Sequence, residues 1–252
     1  MIMNESRFVG KTAVISGAAS GMGLLACQCL AREGARIVMC DVNENALNAC
    51  AQDLIDNGGE VTPLVVDVRV YEQVKAAMDL AKQTYGSIDI ISSFAGGASG
   101  RIFKTGEFKD TDIHIIDWGI DVNFKAQVYF AHAAIGYMFE QNTGVIINIG
   151  SITGEEGSGS AIDYASAKSG VMYGLTKSLA QYGASHNVRV CCISPGPVLT
   201  RESMANMRTL IGRAAYPQEI IDLFLYLCSD KAAFMTGVNI LIDGGRNCLP
   251  KI

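Results

Sequence analysis

The chain is poor in the features that mark several protein classes. None of its eight cysteines (27, 29, 40, 50, 191, 192, 228, 248) stands in C-x-x-C spacing, and its histidines, His114, His132 and His186, are scattered. Zinc sites and redox dithiols need such clusters, so no metal site is assigned. Most of the cysteines fall inside apolar segments, where an unmodified thiol behaves as a small hydrophobe, and free thiols are expected. Basic residues form no run or stripe, and the net charge is -5. That balance argues against nucleic acid or an anionic membrane surface as a partner. No apolar run approaches the length that spans a bilayer, and residues 1–8 (Met-Ile-Met-Asn-Glu-Ser-Arg-Phe) hold no signal-peptide core, so a cytoplasmic protein is expected. No Pro/Ser-rich or charged linker divides the 252 residues, 49% of them hydrophobic, and the chain reads as one domain, 1–252.

What is present alternates. Runs rich in β-branched residues occupy 12–16, 36–41, 61–66, 88–92, 145–149, 188–193 and 239–242, separated by segments of helical period at about 21–33, 44–57, 71–85, 112–140, 163–185 and 217–229. This is the pattern of an α/β protein with a doubly wound parallel sheet of about seven strands and helices on both faces. In such a sheet a ligand binds at the carboxyl ends of the strands, near the point where strand order reverses. Asp41, Asp67, Ala95, Ser151 and Pro195 fall at or just after such ends.

Ser16-Gly17-Ala-Ala-Ser20-Gly21-Met22-Gly23 lies between the first strand and the first helix. Glycines there permit a tight turn and let a pyrophosphate approach backbone N–H groups at a helix N-terminus. An ordinary strand-to-helix turn is the plainer alternative. Asp41, ending the second strand, can accept both ribose hydroxyls of an adenosine and would repel a 2'-phosphate. No arginine or lysine lies in the glycine turn or directly after Asp41, so NAD is expected over NADP. Asp67 could meet the adenine amino group or form an Asx turn.

Ser151, Tyr164 and Lys168 bring a hydroxyl, a phenol and an ammonium into one short stretch. On a shared helix, spacing of four stacks Tyr164 and Lys168 on one face, where the cation would favour the phenolate. The same Tyr-x-x-x-Lys spacing recurs at Tyr71/Lys75 and Tyr173/Lys177, so spacing alone does not select a site. Context does: a strand ends just before Ser151, and a Gly/Ser loop leads into the helix of Tyr164.

Together these residues resemble the short-chain dehydrogenase/reductase family, from about Lys11 to Gly245. The likeness rests on Ser16-Gly-x-x-x-Gly-x-Gly23, Asp67-Val68, Ala95-Gly96, Asn123, Ser151, Tyr164-x-x-x-Lys168, Pro195-Gly196 with Thr200, and Asp243-Gly244-Gly245. The resemblance implies a single-domain Rossmann-type fold and an NAD-dependent oxidoreductase interconverting a secondary alcohol and a ketone. It implies a catalytic set of Asn123, Ser151, Tyr164 and Lys168. The implied cofactor set is Gly17, Ser20, Gly21, Met22, Gly23, Asp41, Asp67, Val68, Ala95, Gly96, Tyr164, Lys168, Pro195, Gly196, Val198 and Thr200. Of these, Thr200 and the Val198 backbone would meet the nicotinamide carboxamide. Two positions depart from the family: Ser16 replaces a usual threonine, and Ser93-Phe94-Ala95-Gly96 replaces Asn-Asn-Ala-Gly.

Residues 197–216 correspond to the family's variable substrate loop and are short. Gly97, Thr153, Glu155, Pro197 and Arg201 are the candidate substrate contacts, a small polar mixture that points to a sugar, polyol or hydroxy acid. Arg213, before the Pro217 helix start, is given a structural role. Alternatives are a 3-oxoacyl-carrier or steroid reductase, or a non-catalytic nucleotide-binding scaffold. The apolar helices at 112–140 and 163–185 point to a homo-oligomer, a dimer or, by family resemblance, a tetramer.

Overall fold

A computed structural model describes residues 6–104 and 106–250. The N-terminal reading above therefore lies outside the described residues up to residue 5. Seven strands form one parallel sheet: β1 (Thr12–Ser16), β2 (Arg36–Asp41), β3 (Glu60–Val65), β4 (Ile90–Ser93), β5 (Gly144–Ile149), β6 (Val188–Pro195) and β7 (Val238–Ile242). Their order is β3-β2-β1-β4-β5-β6-β7, so the chain reverses its direction of travel between β1 and β4. The register pairs Ser16 with both Cys40 and Ser93, which brings the carboxyl ends of β2, β1 and β4 level with one another.

Helices α1 (Gly21–Arg32), α2 (Glu44–Asp56) and α3 (Tyr71–Tyr85) follow the first three strands. The long helix expected at 112–140 is divided into α4 (Ile113–Ile120) and α5 (Ala126–Gln141) by a wider π turn at Asp121–Lys125. The expected 163–185 helix is divided likewise, into α7 (Ile162–Ser169) and α8 (Thr176–Gly183), by a π turn at Gly170–Leu175. Such turns insert an extra residue into a helix and cluster at functional sites. The two meet: a β-carbon on Gly170 would lie 3.0 Å from the ring of Phe124. Between β5 and α7 the expected loop contains a short helix, α6 (Ile152–Glu156). The last helix, α9 (Pro217–Cys228), opens on proline with Glu219 capping the Tyr216 N–H at 2.8 Å. Arg213 grips the same carboxylate through two bonds of 2.7 Å, which is its structural role.

The alternation of β-branched strands with amphipathic helices makes two cores, one on each face. One gathers Ile15, Ile37, Leu47, Ile193 and Phe224 under α1, α2 and α9. The other gathers Val14, Val38, Met78, Phe130 and Val190 under α3, α5 and α8. All eight cysteines are free; Cys27, Cys29, Cys40, Cys191, Cys192 and Cys228 are buried, as expected of small hydrophobes. Among the described residues no helix is long and apolar enough to cross a membrane, and no three potential metal ligands gather.

Candidate active site

Three glycines shape the turn after β1. A β-carbon on Gly17 would fall 2.7 Å from the Ala95 nitrogen, and one on Gly23 would fall 2.2 Å from the Gly17 oxygen. Gly21 faces open space and is glycine because its φ is +56°, a left-handed conformation. The Ser20 side chain makes no capping bond, so the first N–H groups of α1 are left for an anion. At the end of β2 the Asp41 carboxylate accepts from Ala19 N at 3.1 Å and Asn43 N at 3.0 Å, tying that strand end to the glycine turn. These turns fit the diphosphate and ribose of a dinucleotide.

Both departures from the family pattern find partners. Ser16 and Ser93 hydroxyls bond at 2.7 Å across β1 and β4, and the Phe94 ring packs edge-on against Phe224. Apolar packing thus takes the place where the family has an amide.

Asn123 sits in the π turn after α4. Its amide donates to Gly119 O and Gly97 O and accepts from Gly97 N, each at 2.9 Å, so the residue ties α4 to the strand-end segment of β4. Every polar atom of its side chain is occupied by backbone. Ser151 caps α6, accepting from Thr153 N at 3.1 Å. That bond uses a lone pair and leaves the hydroxyl proton to donate to the Tyr164 oxygen or to a ligand oxygen. Lys168 donates to Ile149 O at 2.8 Å and lies 5.7 Å from the Tyr164 ring centroid.

The electrostatics differ from the simple expectation. Burial pushes Tyr164 up from the ordinary phenol range, against the lowering pull of Ser151, Arg101 and Arg201. Burial brings Lys168 down to about 8. Each buried group resists its charged form, so the unliganded site does not hold a phenolate at neutral pH.

A cavity of about 580 Å³ runs along the carboxyl ends of the strands, within the range of small-molecule sites. The candidates Gly17, Ser20, Gly21, Met22, Gly23, Asp41, Asp67, Val68, Ala95, Gly96, Gly97, Ser151, Tyr164, Lys168, Pro195, Gly196, Val198, Thr200 and Arg201 line it together. Asn123 braces it from behind through Gly97. Thr153, Glu155 and Pro197 do not line it: Glu155 is bonded by the Tyr173 hydroxyl, and Pro197 O accepts from Ala215 N at 2.9 Å at the base of the substrate loop. The polar pocket expected from those positions is replaced by Arg101, Ile102, Trp118, Val122 and Met204. Sequence reading missed these because they come from the segment after β4, from α4 and its π turn, and from a 3-10 turn. The one usable signal was Trp118, the chain's single tryptophan, five residues before Asn123. Arg69 also enters the cavity, paired with Asp67 at 2.6 Å; it is remote from Asp41 in sequence.

The other Tyr-x-x-x-Lys pairs are spent elsewhere. Tyr71 bonds His132 at 2.7 Å while Lys75 bonds Asp79, and Tyr173 bonds Glu155.

A family model described as "short chain dehydrogenase" matches residues 11–210. The trans-4-hydroxycyclohexanecarboxylate dehydrogenase of Sinomonas cyclohexanicum is 37% identical over 96% of this chain and 95% of its own. The 3-oxoacyl-(acyl-carrier-protein) reductase FabG of Thermotoga maritima is 32% identical over 95% of this chain and 98% of its own. A crystal structure of a short-chain type dehydrogenase/reductase from Mycobacterium marinum, 30% identical, superposes with a TM-score of 0.89 over 99% of this chain and 100% of that one. With a family model matching most of the chain and relatives at 30% identity or more over nearly its whole length, the chain belongs to the short-chain dehydrogenase/reductase family, NAD(P)-using oxidoreductases.

Proposed function

We propose that this protein is an NAD-dependent dehydrogenase/reductase interconverting a secondary alcohol and a ketone on a small substrate, with Tyr164 as general acid/base. The observation that carries the reading is the convergence of Ser151, Tyr164 and Lys168 on the same cavity wall as the α1 glycine turn. A bound nicotinamide dinucleotide would supply or accept the hydride. In reduction Tyr164 gives its phenolic proton to the substrate oxygen as the carbon–oxygen double bond becomes single. In oxidation the alcohol proton passes to Tyr164. The Ser151 hydroxyl proton, not used in the bond from Thr153 N, donates to the same oxygen and stabilises the charge that develops on it. Lys168, already donating once to Ile149 O, has two further protons for ribose hydroxyls.

NAD over NADP is supported by Asp41, whose carboxylate lines the cavity without a cationic partner among the described residues. The neighbouring Arg69 cation is already paired with Asp67. Absorbance of the reduced nicotinamide, followed with NAD and NADP across alcohols and ketones, tests the reading. No turnover of any member would overturn it.

Self-association belongs to the same reading. Phe234 is fully exposed (105%), and β7 is an unpaired edge with Val238 exposed beside it. Light scattering that returns a monomer would refute that part alone.

A further inference from the structure

The catalytic end of the cavity carries charge of one sign. Among the described residues the acidic side chains lining the cavity are Asp41, the last residue of β2, and Asp67, just past β3, both away from that end. The segments that follow β4, β5 and β6 bring in Arg101, Lys168 and Arg201 and no carboxylate. Lys168 is engaged with Ile149 O. Among the described residues, neither arginine forms an ion pair. Among the described residues the Arg101 guanidinium makes no hydrogen bond, and Arg201 makes only a 3.9 Å contact with the Met204 sulfur.

Arg101 nonetheless lies beside the site's own frame. Its Nη1 lies over Gly97, where a β-carbon would come within 2.6 Å, and Gly97 is locked to Asn123 through both its N–H and its carbonyl. Both arginines stand close enough to Tyr164 to pull its ionisation down. Beside Ser151, Tyr164 and Thr200, this end is lined by the apolar side chains of Ile102, Trp118, Val122 and Met204, with Trp118 backed by Phe103 at a centroid distance of 5.3 Å. No Asn, Gln, Asp or Glu lines this end to bind a row of sugar hydroxyls. Both guanidiniums are exposed to solvent and unpaired among the described residues, so they are available to a substrate carboxylate.

Resting on the redox reading above, we propose that the substrate is a hydroxy or oxo acid with an apolar carbon skeleton, its carboxylate held by Arg101 and Arg201 while the reacting oxygen meets Ser151 and Tyr164. A guanidinium offers a planar fork that matches a carboxylate in two parallel bonds, and two of them fix its position. The apolar wall takes the carbon skeleton. Substrate specificity on this view is the distance between the carboxylate and the oxidised carbon.

The test uses the full chain with reduced NAD and three oxo acids, 4-oxopentanoate, 5-oxohexanoate and 4-oxocyclohexanecarboxylate, each beside its methyl ester. Cyclohexanone, a ketose, a ketosteroid and a 3-oxoacyl N-acetylcysteamine thioester complete the panel. For at least one pair, kcat/KM for the acid exceeds that for the ester by about 30-fold, the scale of a charge-assisted bond. In the Arg101→Gln/Arg201→Gln double variant that ratio falls toward one, with the loss carried by KM for the acid. Added salt lowers the ratio in the wild type as well. Equal turnover of acid and ester, or preference for the thioester, sugar or steroid, overturns the carboxylate assignment and leaves the redox reading standing. Failure of the whole panel overturns both.

Discussion

Phe94 packs edge-on against Phe224 with ring centroids 5.4 Å apart, at the floor of the cavity and at the position where related chains are expected to carry asparagine. Phe224 belongs to the core formed by α1, α2 and α9, so the strand end that lines the cavity is fixed by apolar contact. Restoring the family residue by Phe94→Asn removes that contact and places an amide against a phenyl ring. It costs about 2 kcal/mol of stability, a fraction of the loss for a fully buried phenylalanine. Urea unfolding checks it; an unchanged or raised midpoint would show that the amide finds partners here.

Tyr164→Phe removes the transferable proton and keeps the ring. Cofactor binding persists, while turnover falls by about 10²- to 10⁴-fold, the range of a lost general acid/base. Titration of reduced cofactor fluorescence and steady-state rates separate the two effects. Near wild-type turnover would remove Tyr164 from the chemistry. Because Tyr164 is raised by burial in the unliganded site, kcat/KM for alcohol oxidation climbs through pH 8 and above, whereas that for ketone reduction is level through neutral pH.

Lys168 makes stability depend on pH. Its folded-state pKa of about 8 lies below the ordinary 10.5, so between those values the unfolded chain holds the proton more tightly. Stability therefore rises as pH increases from about 8 to 10.5. It is lowest below pH 8, where the buried ammonium is charged. The gain approaches about 3 kcal/mol. The Lys168→Met variant lacks this rise, and the difference between the two urea midpoints across that window measures it. Parallel curves would sink the prediction.

Asp41→Ala removes the charge that opposes a 2'-phosphate. NADP binding strengthens relative to NAD by about tenfold or more, since one unscreened charge contact is worth on the order of 1 to 2 kcal/mol. Isothermal titration with both cofactors decides it. An unaltered ratio would remove Asp41 from the cofactor preference.

Gly119→Ala places a β-carbon 1.9 Å from the buried Asp163 carboxylate. Asp163 precedes Tyr164 on α7, so relief of the clash displaces the acid/base along with it. The variant loses about 1 to 3 kcal/mol of stability, and its kcat falls even at temperatures where it is fully folded. Full kcat with lowered stability would separate the two helices' packing from the chemistry.

How much of this was legible before folding depended on how local each signal was. Strand positions follow from β-branched runs, and Ser151, Tyr164 and Lys168 from their place after one. The π turns at Asn123 and after Lys168 were not legible: a helical period reads straight through one inserted residue. Arg69 was missed for another reason, since β2 and β3 are neighbours in the sheet but their ends are far apart in sequence. Glu155 was misjudged because its partner, Tyr173, lies eighteen residues away on the π turn between α7 and α8.

The sequence by itself determined the alternating architecture, the glycine turn and the chemical identity of the proton-transfer set, because each is encoded within one strand-turn-helix unit. Tertiary structure alone decided what lines the substrate end of the cavity. The parallel register levels the ends of strands distant in sequence, and only there do Arg101, Trp118 and Arg201 meet Tyr164. Charge and shape of that wall are sums over segments that no local pattern connects.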